Sequence, residues 1–193
     1  KDIQTGKMKY PEQHYLIQGQ RGMGKTTLLL RLKYEIENTS ELNSWLIPIF
    51  FNEESYDLTT LSNLWEKLLK YIDELWQTGN KHYEKTNEFL GKPDYEKRCF
   101  EYLMQVLNEK NKKIVILFDN FGQLFLDNLK DKEQHRLREI LMNCAEIRII
   151  GASAIVLKDL HDYSKPFFEF FKIINLEGLN KTETFELIKK LQE

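Results

Sequence analysis

The amino-acid pattern predicts an α/β fold, a parallel sheet covered by helices on both faces. Three observations carry that expectation. Short, almost wholly apolar runs alternate with stretches of helical period, which is how parallel strands joined by crossover helices read. A glycine-rich octapeptide, Gly19-Gln20-Arg21-Gly22-Met23-Gly24-Lys25-Thr26, joins the first apolar run to the first helical one. A later apolar run, Ile114-Val115-Ile116-Leu117-Phe118, ends in Asp119, an acid at a strand-to-loop boundary.

The elements follow in order. His14–Gln18 reads as a short buried strand, and Lys25–Asn38 has helical period with no breaker. Trp45–Phe51 is the second strand. A helix is expected over Thr60–Gln77, where Leu61, Leu64, Trp65, Leu68, Ile72 and Leu75 form one apolar stripe. Asp57 or Thr59 suits its cap and Gly79 its stop. Asn80–Pro93 is polar and reads as a surface excursion. A helix over Tyr95–Asn108 turns Phe100, Leu103 and Leu107 inward, and Ile114–Asp119 is the third strand. Helical stretches near Phe121–Leu129 and Lys132–Asn143 lead to strands at Arg148–Ala152 and Phe171–Leu176. Beyond these, Asn180-Lys181-Thr182-Glu183 precedes a helical pattern of Phe185, Leu187, Ile188 and Leu191. Asn followed three residues later by Glu is capping chemistry, and it explains those residues better than a guanine-reading N-K-x-D motif, which Glu183 breaks. Residues 1–176 thus form a core, with 177–193 the start of a further helical unit.

Composition bounds the function classes. The 193 residues are 41% hydrophobic and 12% aromatic, enough for a packed core. Charge is nearly balanced, 28 basic against 30 acidic residues for a net −2, which argues against a dominant nucleic-acid-binding surface while allowing a local patch. Cys99 and Cys144 lie far apart and are expected as reduced thiols of a cytoplasmic protein. No apolar run approaches the roughly 18 residues of a membrane span. The chain begins at Lys1 and ends inside a helical pattern, so it is expected to be a piece of something longer.

The octapeptide is a complete G-x-x-x-x-G-K-[ST] phosphate-binding loop, and each residue type in it has a physical task. Glycines permit the backbone angles that turn several N–H groups toward a phosphate. Lys25 can reach the β- and γ-phosphates as a point charge, and the Thr26 hydroxyl can ligate Mg²⁺. The helix that follows, through Thr27, presents its positive end to the same anion. Gly19, Gln20, Arg21, Gly22, Met23, Gly24, Lys25, Thr26 and Thr27 are therefore the expected nucleotide-binding set. Asp119, after an apolar strand and about 95 residues downstream, suits the acid that holds the same Mg²⁺.

Hydrolysis also needs a group that orients water. The residue after Asp119 is Asn120, an amide that can hold a water but cannot take its proton. Glu53 and Glu54, just beyond the second strand, are the substitutes if that strand borders the third. Ser153, at the end of Arg148-Ile149-Ile150-Gly151-Ala152-Ser153, is a candidate γ-phosphate sensor if that strand lies beside the first. His14, His82 and His135 lack metal-ligand spacing, and His161 and Asp162 read as a solvated pair. Trp45, Trp65 and Trp76 read as packing residues.

Taken together, Gly19–Thr26, Ile114–Asp119, Arg148–Ser153 and Leu176-Glu177-Gly178-Leu179 resemble the AAA+/STAND group of P-loop ATPases, and within it the bacterial and archaeal origin-recognition-like module. The resemblance implies a three-layer P-loop NTPase with strand order 5-1-4-3-2, the start of a helical lid, and often a winged-helix domain further on. It implies ATP and Mg²⁺ as ligands, and as partners ADP, further copies of the chain, downstream domains of the same chain and, through such a domain, nucleic acid. It also implies an aromatic Pro-Phe segment, to which Lys165-Pro166-Phe167-Phe168-Glu169-Phe170-Phe171 is similar although its residue types favour core packing, and an arginine donated between subunits, for which Arg136 and Arg138 are candidates. Asn120 departs from the commonest pattern, so slow turnover is expected. Three functions stay open on the sequence: an ATP-driven conformational or oligomeric switch, the ATPase module of a DNA-binding initiator, and a small-molecule kinase. No arginine cluster resembling a kinase lid follows the fourth strand.

Overall fold

The computed structural model of the chain describes residues 13–52, 58–122, 128–154, 157 and 160–191. Five parallel strands, β1 (His14–Gln18), β2 (Leu46–Phe51), β3 (Lys113–Phe118), β4 (Ile147–Ser153) and β5 (Phe171–Asn175), form one sheet in the order β2-β3-β4-β1-β5. This is the order 5-1-4-3-2 read from the other edge. Every residue of β1 and β4 is buried, as expected of central strands covered on both faces.

Alternation along each strand divides the core into two layers. Ile47, Ile49, Ile114, Ile116, Ile147 and Ile149 face helices α3 (Leu61–Trp76), α5 (Tyr95–Glu109) and α6 (Asp131–Asn143). Tyr15, Ile17, Val115, Leu117, Ile150 and Ala152 face α1 (Lys25–Asn38) and the short α2 (Ser40–Asn43). Two-residue periodicity within apolar runs therefore builds a helix–sheet–helix sandwich. Side-chain hydrogen bonds tie the α3 layer together. Trp65 Nε1 donates to Glu96 at 2.8 Å, and the N–H of Leu61 at the start of α3 donates to Glu133 of α6 at 3.0 Å.

Several expectations shift in detail. The cap of α3 is Thr60, whose hydroxyl accepts from the Asn63 N–H at 3.2 Å, and the helix stops at Gln77 in the left-handed region, two residues before Gly79. Leu75 lies on the apolar stripe but is 50% exposed. It borders an open groove of about 250 Å³ with Pro48 of the edge strand β2, Tyr71 and Trp76. The polar stretch after Gly79 is structured: α4 (Lys81–Lys85) and a 3-10 turn over Thr86–Phe89. Its anchor is Asp73, a buried carboxylate that accepts from the Thr78 hydroxyl and from the N–H groups of His82 and Tyr83 at 3.0 and 2.7 Å. Within α5, Cys99 and Val106 join Leu103 and Leu107 in the core, while Phe100 is half-buried. Of the helical stretch expected over Phe121–Leu129, residues 123–127 lie outside the described residues. Both cysteines are free and buried. No described helix is long and apolar enough to cross a membrane.

The aromatic segment after β4 is core, as the sequence suggests. Phe167 and Phe171 are buried, and Phe170 stacks on His14 at 5.0 Å between ring centroids. The Ile149 N–H donates to His14 Nδ1 at 3.0 Å, so the neutral ring keeps its proton on Nε2. Burial pushes the imidazole down to about 4, offset in part by the Leu141 carbonyl and reinforced by the charge of Arg148. Protonation below the ordinary histidine range then favours the unfolded chain. The His14 contribution is complete above about pH 6.5 and is lost as pH falls toward 4. It predicts a loss of about 2 kcal/mol of unfolding free energy between pH 7.5 and pH 5 from this group. His14→Gln, which keeps an acceptor for Ile149, removes that share of the pH dependence, as urea unfolding at the two pH values would show.

Candidate functional site

Parallel strands bring all their carboxyl-terminal ends to one edge, and the expected site residues gather there. The octapeptide leaves β1 at Gln18, which pairs with Ser153 of β4 on one side and Asn175 of β5 on the other. Gly22 and Gly24 have φ of +86° and +83°, angles that a side chain would strain. They curl the chain into a loop whose last glycine is the N-cap of α1. No side chain caps that helix, so its first turn presents its N–H groups and positive end to the loop interior.

Lys25 is buried and arches back across the loop, its ammonium donating to the carbonyls of Gly19 and Gln20 at 2.8 Å each. An ammonium has three N–H donors, so this geometry fixes the side chain and leaves one donor, with the full charge, for a phosphate oxygen. Gly19 sits close under Leu176: a Cβ at residue 19 would stand 3.1 Å from Leu176 Cβ and from its carbonyl oxygen. Arg21 and Thr27 are exposed, and Met23 is half-buried.

The decisive contact joins the two halves of the expected site. Thr26 Oγ1 donates to Asp119 Oδ2 at 2.7 Å, across 93 positions of sequence. Asp119 extends the β3 ladder by one residue, its N–H donating to the Phe51 carbonyl at 2.9 Å. Its other oxygen accepts from the Asn120 N–H at 3.2 Å. Asn120 has φ +54°, a left-handed turn that Asn tolerates better than most residues. The turn-forming tendency of Asn is the sequence signal for this role, alongside its capacity to hold a water. Ser153 is buried, and its carbonyl accepts from the Gly19 N–H at 3.3 Å, which places it beside the first residue of the loop.

Glu53 and Glu54 lie outside the described residues. The strand that precedes them does border β3, Phe51 standing opposite Phe118. Arg136 and Arg138 are engaged within the chain. Arg136 pairs with Glu96 and Glu139 at 3.5 and 2.9 Å. Arg138 donates to the Pro166 carbonyl and to that of Phe168 at 3.2 Å, and its guanidinium lies over Phe170. His161 and Asp162 are exposed, as expected of a solvated pair. Among the described residues no cluster of three or more His, Cys, Asp or Glu forms a metal site. A hydroxyl and a carboxylate at hydrogen-bonding distance, with an anion-seeking helix end beside them, instead fit Mg²⁺ held jointly by protein oxygens and phosphate.

No family model matches the chain, and no curated protein is similar to it in sequence. Solved structures are similar in fold. The Aeropyrum pernix ORC2 protein, solved in ADPNP–ADP complexes, superposes with a TM-score of 0.64 at 15% identity over 92% of this chain and 45% of its own. The Aeropyrum pernix ORC1 protein in complex with DNA gives 0.62 at 14% identity over 97% and 45%. The Walker-type ATPase PABY2304 of Pyrococcus abyssi gives 0.56 at 19% identity over 98% and 55%. The chain thus spans about half the length of these proteins. With its sheet order and the loop that follows β1, its fold is that of the P-loop ATPase module of origin-recognition-like proteins.

Proposed function

We propose that the chain binds ATP with Mg²⁺ and hydrolyses it slowly, as the nucleotide-controlled switch of a larger protein. The observation that carries this reading is the 2.7 Å hydrogen bond from Thr26 to Asp119, because it brings together the two oxygens that a shared cation needs. Lys25 and the amides of the first turn of α1 hold the phosphates. Thr26 and Asp119 hold the cation, which when bound neutralises phosphate charge and polarises the transferring group. Gly19, Gln20, Gly22, Met23 and Gly24 shape the loop, while Arg21 and Thr27 border it and Ser153 stands at its entrance. Water is positioned by Asn120 or by Glu53 or Glu54, and reliance on an amide is what makes turnover slow.

Switching follows from differential affinity: nucleotide moves another part of the protein only as far as it binds one arrangement more tightly. Self-association and contact with further domains are the outputs this reading expects. A nucleic-acid role is a second reading, favoured by the fold shared with the DNA-bound Aeropyrum pernix ORC1 protein. Filter binding of the complete polypeptide to duplex DNA with and without ATP tests it.

Titration with ATP and Mg²⁺ tests the main reading. Lys25→Ala is expected to weaken nucleotide affinity about 10- to 100-fold, the scale of a lost charge-assisted hydrogen bond. Wild-type affinity in this variant would contradict the reading. Asp119→Asn is expected to abolish the gain in ATP affinity that Mg²⁺ confers while leaving metal-free binding near wild type, measured by calorimetry with and without chelator. Glu53→Gln or Glu54→Gln is expected to stop phosphate release while sparing ATP binding. Unchanged turnover in both would assign water positioning to Asn120.

A further inference from the structure

The strand-end turn that carries Asp119 is held from both faces of the sheet. Asp119 reaches Thr26 of α1 on one face, while Phe118 and Phe121 belong to the core layer beneath α3, α5 and α6 on the other. Between them Asn120 takes its left-handed turn, φ +54°, and sends the chain back over the sheet. Phe121 comes down on Gly151, the β4 residue paired with Phe118. A methyl group at residue 151 would fall 2.7 Å from Cγ of Phe121 and 2.8 Å from its Cβ and Cδ2, well inside the roughly 3.5 Å at which carbon atoms pack. The phenyl group therefore occupies the space that a side chain at residue 151 would need. Glycine inside a strand weakens it and marks a place where another group approaches closely; here that group is Phe121. The ring is fully buried, with edge contacts to Phe171 at 5.0 Å and to Phe118 at 6.1 Å between centroids.

We propose that Phe121 is a positioning residue for the cation site, seated in a notch that Gly151 leaves open in β4. The inference rests on the nucleotide-binding reading above and names what aims the Asp119 carboxylate within it. Ring and carboxylate are two residues apart. An anchored ring thus leaves the turn one setting, the one in which Asp119 meets Thr26. Without the anchor the turn takes other settings, and the two oxygens no longer stand ready together. Groups that orient a metal ligand without touching the metal change metal affinity about 10- to 100-fold when they are removed.

Calorimetry of the 193-residue chain gives ATP affinity with Mg²⁺ and with chelator, and the ratio of the two is the gain that the cation confers. Phe121→Ala and Gly151→Ala are each expected to cut that gain about 10-fold or more. Metal-free ATP affinity stays near wild type in both, because Lys25 and the loop amides are untouched. The pair together loses little more than the worse single variant, since both break one contact. Phe121→Leu keeps a Cγ against Gly151 and retains most of the gain. Phe167→Ala removes a ring from the same core layer but none from the turn, and is expected to lower stability with the gain intact. Without nucleotide, hydrogen exchange at residues 119–122 quickens in Phe121→Ala and not in Phe167→Ala. A folded Phe121→Ala with the wild-type gain overturns the proposal, as does a Phe167→Ala that loses the gain equally. Should Gly151→Ala not fold, the two Phe121 variants decide. A wild type that gains nothing from Mg²⁺ contradicts the cation site itself, and the proposal falls with it.

Discussion

A hydroxyl at the start of a helix donates its hydrogen bond to a carboxylate at the end of a strand, and the sheet between them keeps the two together. Thr26 follows β1 and Asp119 follows β3, with β4 between those two strands. Only a parallel sheet in fixed register delivers both chain ends to the same edge at hydrogen-bonding distance. The alternating apolar residues that hold α1 on one face and α3, α5 and α6 on the other are in this sense part of the site. A register slip of one residue in β3 would turn Asp119 to the other face.

Loop and helix share the electrostatic work. A helix with no side-chain cap leaves donors that look for an anion, and a lysine pinned by two carbonyls is pre-positioned to meet it. On the proposed reading, a lysine already ordered by those two carbonyls loses less conformational entropy on binding phosphate. Asp119 is oriented in the same way, by Thr26 on one oxygen and by the Asn120 backbone on the other. Asn120 therefore has a geometric reason to be Asn, the left-handed turn that aims Asp119, besides any contact with water.

The legible parts of the fold were those with strong period or strong residue constraints. His14–Gln18 and Lys25–Asn38 are readable because the apolar Tyr15-Leu16-Ile17 and a Gly-Lys-Thr boundary leave little choice. The capping pair Asn180 and Glu183 was equally plain. Harder features depended on contacts distant in sequence. Nothing local marks Asp73 as a buried anchor for α4, because its partners lie five to ten residues away in a polar stretch. Leu75 belongs to the apolar stripe but is left half-exposed on a groove beside the edge strand β2, and a periodicity carries no information about how well its partner surface covers it. At the site, residue types named the phosphate loop and the acid, but only the sheet register shows that they meet.

The central claim is that Thr26 and Asp119 act on a single cation. A double-mutant cycle on Mg²⁺–ATP affinity, using Thr26→Ala, Asp119→Ala and the pair, tests it most directly. Groups that share one ion show strong non-additivity, so the double variant should bind little more weakly than the worse single variant. Losses that simply add, with Mg²⁺ still enhancing ATP binding in the double variant, would contradict the account.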